Sequence, residues 1–179
     1  MQDEVHGPAE VLAELEARLD GWTPDLVGTL LFVVDGDRVL LIRKRRGHGE
    51  GKINGPGGKV EPGEAPLACA VRETQEEVHV RPHRPQLAAV FRFLDTEDDD
   101  WLGYVFVADG CDGTPEVTVE AIPRWYSLDD LPLAEMWEDD RFWLPRVLAG
   151  ERLEGEFLFR SGRLLGHRLR PLEKHPAAG

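Results

Sequence analysis

The stretch that decides the fold is residues 57–80, GGKVEPGEAPLACAVRETQEEVHV. Its first half is rich in glycine and proline, which predicts a loop. Its second half predicts a helix over residues 65–78, because residues suited to a core recur there at helical spacing. These residues form a stripe at steps of four, three and four: Leu67, Val71, Thr74 and Val78.

Three glutamates fall on the side of this helix that faces away from the stripe. Glu73, Glu76 and Glu77 are neighbours there, since residues three and four positions apart lie side by side on a helix. Each pair of like charges costs about 0.2–0.5 kcal/mol, and the C-terminal half of a helix favours cations. A hard divalent cation reverses that penalty, because Mg²⁺ prefers carboxylate oxygens. An isolated cluster of this kind is more often a solvated acidic face, so the preceding loop decides the interpretation.

The loop and the helix together resemble the signature of the Nudix family, G-x5-E-x7-R-E-U-x-E-E-x-G-U, in which U is aliphatic. The positions that match in register are Gly58, Glu64, Arg72, Glu73, Glu76, Glu77 and Val80. Two positions differ, since Thr74 replaces an aliphatic residue and His79 replaces a glycine. Charged residues and glycines at fixed spacing over about two dozen residues make a specific motif.

The Nudix resemblance implies a metal-dependent hydrolase that cleaves a phosphoanhydride bond in a nucleotide-like substrate. It implies that Mg²⁺, which Mn²⁺ can replace, binds three carboxylates and one backbone carbonyl: those of Glu73, Glu76, Glu77 and Gly57. It also implies that Arg72 and Glu64 brace the loop against the helix.

Strand-like runs surround this stretch. Three pairs of runs predict hairpins: residues 25–34 with 38–45, 86–94 with 101–109, and 154–160 with 163–170. Their connections have the composition of turns: Asp35-Gly36-Asp37, the acidic 95–100, and Ser161-Gly162. The other predicted elements are a strand over 122–126, helices over 8–19 and from 139 or 140 to 149, and a loop over 46–63. This pattern predicts an α+β fold, which the resemblance makes an α/β/α sandwich with a mixed central sheet.

The resemblance extends to the oxidised-purine nucleoside triphosphate diphosphatases related to MutT and covers most of residues 26–171. It includes RKRRGHGEGKINGPGGKVEPGE at 43–64 and AEMWEDDRFWLP at 134–145. It implies a base pocket and one further acid near the metals: Asn54, Trp137, Asp139 and Asp140 for the pocket, and Glu120 as the acid. Taken alone, the four pocket residues are at least as typical of a helix cap followed by a core tryptophan as of a base pocket.

Three more residues are candidates for contacts with substrate. His48 stands at a position that is aromatic in the mammalian-type enzymes of that subfamily. Lys44 belongs to the basic run 43–46, which either lies near the substrate phosphates or is a solvated strand end. Phe91, with Phe93, either lines the floor of the pocket or belongs to a half-buried sheet.

Composition restricts the class of protein. The net charge of -13 opposes binding to a nucleic acid polymer. Charged residues make up 31% of the 179-residue chain, and no run is long and apolar enough to predict a membrane span. The N-terminal sequence resembles neither a secretory signal nor a transit peptide, which predicts a cytoplasmic protein. Cys69 and Cys111 have no spacing typical of a zinc site or a disulfide framework, so both are predicted to be free thiols.

The resemblance implies a hydrolase that releases a nucleoside monophosphate and pyrophosphate from a purine nucleoside triphosphate, oxidised or not, such as 8-oxo-dGTP. The catalytic candidates are Glu76, Glu73, Glu120 and Arg72, and sequence does not rank the proton acceptors among them. Two alternatives stay open, namely a hydrolase of a dinucleoside polyphosphate or nucleotide sugar, and a nucleotide sensor without activity. The expected organisation is a helical extension over 1–22 and a hydrolase domain over 23–175, as a monomer or homodimer. His6 and His175 are expected in tails, and residues 174–179 are expected to be disordered.

Overall fold

The computed structural model describes residues 3–173 of the chain. Within that range the α-helices are α1 (Ala9–Leu19), α2 (Pro66–Val78) and α3 (Asp140–Leu148), and a short 3-10 helix spans Leu133–Glu135. The strands are β1 (Glu4–His6), β2 (Leu26–Asp35), β3 (Arg38–Lys44), β4 (Ile53–Asn54), β5 (Gly57–Lys59), β6 (Arg81–Pro82), β7 (Gln86–Asp95), β8 (Trp101–Ala108), β9 (Cys111–Asp112), β10 (Ala121–Ser127), β11 (Leu153–Arg160) and β12 (Arg163–Pro171). The predictions for His175, for the domain end at 175 and for disorder over 174–179 lie outside the described residues.

One mixed sheet forms the centre of the protein. Its strands follow the order β1-β12-β11-β7-β8-β2-β3-β10, with β4 paired to β3 and β5 paired to β2. The pairs β2–β8 and β7–β11 are parallel, whereas β2–β3, β7–β8 and β11–β12 are antiparallel hairpins. The three predicted hairpins and the strand predicted over 122–126, now β10, are thus confirmed. The segment predicted as a loop over 46–63 contains two short strands, β4 and β5.

Helices cover both faces of this sheet. Side chains of β2 alternate between the two faces, so Phe32 packs with Trp143 of α3 while Leu31 and Val33 pack with Ala70 of α2. The predicted α+β sandwich with a mixed central sheet is therefore confirmed. Among residues 3–173 no helix is both long and apolar enough to cross a membrane.

The N-terminal segment packs onto the same sheet. β1 pairs with β12 in antiparallel register, and α1 buries Leu15 against Leu94 and Leu158. His6 was expected in a tail, and this expectation is wrong because the residue lies opposite His167 in the sheet. A strand of three residues is too short to show a periodicity that sequence could reveal. The domain boundary between residues 22 and 23 stays a prediction.

Both departures of α2 from the Nudix signature have a local explanation. Thr74 is buried at the aliphatic position, where its hydroxyl donates to the Ala70 carbonyl at 2.8 Å. His79 follows the helix in the left-handed conformation that favours glycine there, with a φ of 61°. Its Nδ1 lies 3.0 Å from the Glu116 carboxylate. The helix therefore ends where the signature predicts it.

The buried face of α2 differs from the predicted stripe. Leu67 is 41% exposed, whereas Glu77, placed on the solvent side by the prediction, is 1% exposed. The buried face keeps Thr74 and Val78 of the predicted stripe and adds Ala70. Glu77 follows Ala70 by seven residues, which is nearly two helical turns, and so it lies on the same side. An apolar pattern does not reveal a buried carboxylate.

Candidate active site

Three glutamates of α2 form one cluster with two basic side chains. Glu73 and Glu76 both contact Nη1 of Arg72, at 2.8 and 3.2 Å. Glu77 lies 3.3 Å from Nζ of Lys44. The side chains differ in exposure, from 1% for Glu77 to 15% for Glu73 and 56% for Glu76. The cluster therefore extends from the interior of the protein to its surface.

Arg72 fastens the preceding loop to the helix. Its Nε and Nη2 donate to the two carboxylate oxygens of Glu64 at 2.8 and 3.0 Å. This guanidinium lowers the pKa of Glu64 to about 2. Glu64 also accepts a hydrogen bond from the backbone N–H of Glu61 at 3.0 Å. The bidentate contact fixes the relative orientation of Arg72 and Glu64 and also compensates their charges. It is the contact that was predicted to brace the loop against the helix.

Two consecutive glycines let the loop approach the carboxylates. A Cβ on Gly58 would lie 2.4 Å from Cδ of Glu73, and one on Gly57 would lie 1.9 Å from the Thr29 carbonyl oxygen in β2. The backbone N–H of Gly57 donates to Glu77 at 3.1 Å. Glycine is needed at both positions because a side chain would occupy the space of a neighbouring group.

Burial makes negative charge costly in this cluster. Loss of water raises the pKa of Glu77 to about 6 and also raises that of Glu73. The nearby negative charges of Glu76 and Glu120 raise the pKa of Glu73 further. Lys44 opposes the shift at Glu77. Additional positive charge would therefore be favourable at this position.

The donors of the cluster fit a hard divalent cation. They are carboxylate oxygens, which such cations prefer over nitrogen or sulfur. Within residues 3–173, no three histidine, cysteine or acidic side chains already converge as a complete metal-binding group. Arg72 contacts Glu73 and Glu76, and Lys44 contacts Glu77. A cation that bound here would take over the neutralising contacts of these basic groups.

Glu120 approaches the cluster from the segment before β10. The Thr118 hydroxyl donates to the backbone carbonyl of Glu77 at 2.8 Å and accepts from the backbone N–H of Glu120 at 3.2 Å. Thr118 thereby ties this segment to the end of α2, a function that sequence reasoning missed. The Glu120 carboxylate forms an ion pair with Arg46. The acid predicted near the metals is thus adjacent to the helix.

A cleft of about 580 Å³ adjoins this cluster and is called the cleft from here on. Its lining includes Lys44, Gly57 and Gly58 beside the helix carboxylates, and Asp139 and Asp140 from the start of α3. The volume lies within the range of small-molecule binding sites. The cleft therefore joins two groups of predicted site residues that are far apart in sequence.

Asp139 and Asp140 form a buried acid pair, 3% and 2% exposed. The Trp143 indole N–H donates to Asp139 at 2.8 Å, and the Trp137 backbone N–H donates to Asp140 at 3.1 Å. Burial raises the pKa of both acids, and the charge of Asp139 raises that of Asp140 further. Asp139 makes no side-chain cap to α3. An acid that keeps its proton can donate as well as accept, so the pair suits a ligand edge of mixed polarity.

Aromatic side chains form the walls of the cleft. His48 and Trp137 stack with ring centroids 5.1 Å apart and planes 14° apart. His48 also stacks with Trp101, at 5.5 Å and 30°. Sequence reasoning missed Trp101, although its position directly after the acidic turn at 95–100 was an available signal. A large aromatic at a strand end beside an exposed loop often lines a binding site.

Asn54 lies in the cleft lining, and its side-chain oxygen accepts from the backbone N–H of Gly55 at 2.8 Å. Phe91 does not line the cleft, which corrects the prediction for that residue. Its ring is fully buried, 5.0 Å from that of Trp143 and edge-on to that of Phe157. Phe93, two residues further along the same face of β7, lies in the cleft lining instead. Side chains on this face of β7 therefore lie in the core at Phe91 and in the cleft lining at Phe93.

Comparison with known proteins agrees with this geometry. A family model described as the NUDIX domain matches residues 24–147. The chain is 35% identical over 147 residues to the oxidized purine nucleoside triphosphate hydrolase of Mus musculus, covering 81% of this chain and 94% of that protein. It is 37% identical over 134 residues to the protein of the same name from Danio rerio, covering 74% and 86%.

The fold comparison gives the same result. A MutT protein from Bacillus halodurans has a TM-score of 0.72 and 29% identity, covering 83% of this chain and 99% of that one. The signature, the sandwich fold and the clustered carboxylates thus agree with the sequence relatives. The chain belongs to the NUDIX family and is a Nudix hydrolase.

Proposed function

We propose that this Nudix hydrolase cleaves a purine nucleoside triphosphate, such as 8-oxo-dGTP, to the nucleoside monophosphate and pyrophosphate with Mg²⁺ or Mn²⁺. One observation carries the proposal. A single cleft is lined by the Gly57 and Gly58 loop, which meets the helix carboxylates, and by the buried acids Asp139 and Asp140. One end of the site is therefore suited to a phosphate chain, and the other end is suited to a base. The names of the Mus musculus and Danio rerio relatives support the same substrate class.

The base is assigned to the end formed by α3. Trp137 offers a flat face for stacking, and the Asp139 and Asp140 pair offers donors and acceptors to the base edge. Asn54 adds an amide to the same lining. A purine presents a mixed edge of donors and acceptors, so a pair in which one acid retains a proton is a suitable partner.

The phosphates are assigned to the end formed by α2. The residues that would hold the cation are Glu73, Glu76 and Glu77, with the carbonyl of Gly57. When bound, Mg²⁺ supplies positive charge that polarises a phosphoryl oxygen and lowers the pKa of a water. The chemistry of the donor set supports this assignment, because hard oxygens are grouped where burial already disfavours uncompensated charge.

The protein's own groups would then orient the substrate and move a proton. Lys44 lies in the cleft lining and contacts Glu77, so it is placed to contact a phosphate oxygen once a cation neutralises that acid. Glu120 or a helix glutamate would accept the proton of the attacking water. Arg72 would act as a positioning residue, because it holds Glu73 and Glu76 through one nitrogen.

A substrate panel tests the proposal. Turnover of 8-oxo-dGTP, 2-hydroxy-dATP, dGTP, ATP, a dinucleoside polyphosphate and a nucleotide sugar is measured with Mg²⁺, and the products are identified. We expect pyrophosphate, the monophosphate and a preference for an oxidised purine. Faster cleavage of a dinucleoside polyphosphate or a nucleotide sugar would favour a different Nudix hydrolase. Tight binding without turnover in saturating Mg²⁺ or Mn²⁺ would favour a nucleotide sensor.

Glu76→Gln tests the assignment of the helix carboxylates. The substitution preserves shape and removes one charge from a side chain that is 56% exposed, so the fold should survive. We expect kcat to fall by about 10²- to 10³-fold, the scale for losing one preorganised electrostatic contact. Glu16→Gln, which changes an exposed acid of α1, is the matched control and should keep full activity. Unchanged turnover in Glu76→Gln would refute the assignment.

The domain organisation, location, oligomeric state and nucleic acid binding of the protein are also matters of proposal. We propose an extension over 1–22 and a hydrolase domain over 23–175, in a cytoplasmic monomer or homodimer that binds no nucleic acid polymer. The net charge of -13 supports the last point. Sedimentation of the purified protein measures its oligomeric state, and titration with duplex DNA at low salt tests polymer binding.

A further inference from the structure

His48 lies where a flat ligand of the cleft would stack. Its imidazole is nearly parallel to the Trp137 indole and also stacks with the Trp101 indole. The two stacks have similar centroid distances and small interplanar angles, and the arrangement that accommodates both indoles places one on each face of the ring. His48 is therefore the middle layer of three, and the space between Trp101 and Trp137 is called the slot from here on.

The walls of the slot are fixed by the fold. Trp101 begins β8 and pairs with Leu26 of β2, and a Cβ on Gly28 would lie 3.1 Å from its ring. Trp137 donates its backbone N–H to the buried Asp140. Both indoles are thus held by groups of the sheet or of α3, independently of His48.

The middle layer is held far less firmly than the walls. His48 lies between Gly47 and Gly49, whose φ angles are 77° and 78°, and the residue as a whole is exposed. Glycines can change backbone conformation at little steric cost. Within residues 3–173, the contacts of the imidazole are its two ring stacks. Moving His48 therefore costs little more than those stacks.

Cationic side chains flank the walls. Nζ of Lys52 lies 4.8 Å from the ring centre of Trp137, and Nζ of Lys59 lies 5.6 Å from that of Trp101. Because the His48 imidazole covers the inner face of each indole, the ammonium groups of Lys52 and Lys59 contact other parts of the ring surface. Each ammonium group is close enough to its indole for a cation–π contact that helps to hold the ring in place.

We propose that His48 is an internal occupant of the slot, and that a purine ring binds between Trp101 and Trp137 by replacing its imidazole. The inference rests on the proposed function, because it takes the base as the ligand of this end of the cleft. A purine covers more of each indole than an imidazole does, and its edge can reach the acid pair that lines the same cleft. Trp101 then becomes a base-stacking residue, and His48 lowers the affinity for nucleotide.

Binding of 8-oxo-dGMP and dGMP in EDTA tests this proposal without hydrolysis. Affinities are measured by calorimetry for the wild type, His48→Ala, His48→Phe and Trp101→Leu, after thermal melts have confirmed folding. We expect His48→Ala to bind at least about 5-fold more tightly, the lower end of the scale for two lost aromatic pairs. His48→Phe keeps an occupant and should bind no more tightly than the wild type. Trp101→Leu should bind about 5-fold more weakly or worse.

A control and a second readout separate the outcomes. His83→Ala removes an exposed imidazole that lies outside the cleft lining and should leave affinity unchanged. The ring-proton resonance of His48, identified by its loss in His48→Ala, should move towards the position of an exposed imidazole when 8-oxo-dGMP binds. Absence of binding by the wild type to either monophosphate would contradict the proposed function itself. Binding by the wild type with equal or weaker affinity in His48→Ala, and a static His48 resonance, would overturn the displacement of His48 alone.

Discussion

Gly58→Ala tests how the loop and α2 fit together. The added methyl would lie 2.4 Å from Cδ of Glu73 and 2.5 and 2.7 Å from its oxygens. An ordinary contact between such atoms needs about 1 Å more, so the carboxylate must move by about that distance. Gly58 does not have a positive φ, so alanine fits the backbone there. The substitution therefore acts on the Glu73 carboxylate rather than on the chain path.

A displacement of about 1 Å in a catalytic group can lower turnover by about 10²-fold. We expect that loss in kcat for Gly58→Ala, measured on the best substrate of the panel. The methyl meets the end of a flexible side chain, so the free energy of unfolding should fall by about 1 kcal/mol or less. Urea unfolding followed by circular dichroism measures it. Activity should thus be lost while stability is largely kept.

Two other glycines give the matched comparison. Gly36→Ala, in the β2–β3 turn, meets nothing within 4 Å but carries a φ of 63°, so it should lose about 1 kcal/mol of stability and keep its kcat. Gly57→Ala would place its methyl 1.9 Å from the backbone oxygen of Thr29, so it should destabilise the protein more than either. Full turnover in Gly58→Ala would refute the reasoning, because Glu73 would then tolerate displacement.

Two further predictions concern buried titratable groups. Asp140→Asn should lower kcat/KM by about 10- to 100-fold, because a buried polar group then loses its matched hydrogen bond to the base edge. The same substitution should raise Tm more at pH 8 than at pH 5, because burial disfavours the ionised acid, and a Tm gain equal at both pH values would contradict this. His167 is buried, no partner for its ring nitrogens is recorded within residues 3–173, and burial lowers its pKa to about 4. Below pH 6.5, the ordinary pKa of histidine, His167 binds a proton in the unfolded protein but not in the folded protein. The free energy of unfolding should therefore fall by up to about 3 kcal/mol between pH 6.5 and 4. His167→Leu should remove that part of the pH dependence in urea unfolding, and identical slopes for both proteins would show that His167 does not titrate as described.

Elements with a local signal were predictable from sequence, and elements defined by a distant partner were not. The β2–β3 hairpin follows from Asp35-Gly36-Asp37 between two apolar runs, because the turn and its flanks are adjacent in the chain. β1 and β5 have three residues each, and they form strands because β12 and β2 provide the backbone groups to which they hydrogen-bond. No window of neighbouring residues contains that information.

The site was predictable in its residue types and less so in its geometry. The carboxylates of α2 and the acid pair of α3 were identified by resemblance to a family pattern. Trp101 was missed and Phe91 misplaced, because strand alternation tells which side chains share a face but not where that face meets a cleft. Glu77 was placed on the wrong side of its helix, since apolar periodicity treats every acid as solvent-facing. These errors all concern where burial occurs, which depends on long-range packing.

Buried acids in this protein are of two kinds, those whose charge is compensated by basic side chains and those that receive only hydrogen bonds. The first kind stabilises the fold, and the second kind indicates a binding site. Glu156 is 2% exposed, but Arg92 and Arg170 lie 2.9 and 2.7 Å from its carboxylate, so its charge is compensated within the fold. Asp139 and Asp140 instead receive hydrogen bonds from an indole and a backbone N–H, and burial raises the pKa of both. Acids of the second kind reduce stability until a ligand supplies what the fold does not. The end of the cleft formed by α3 contains such a pair, which is the physical reason to place a ligand there.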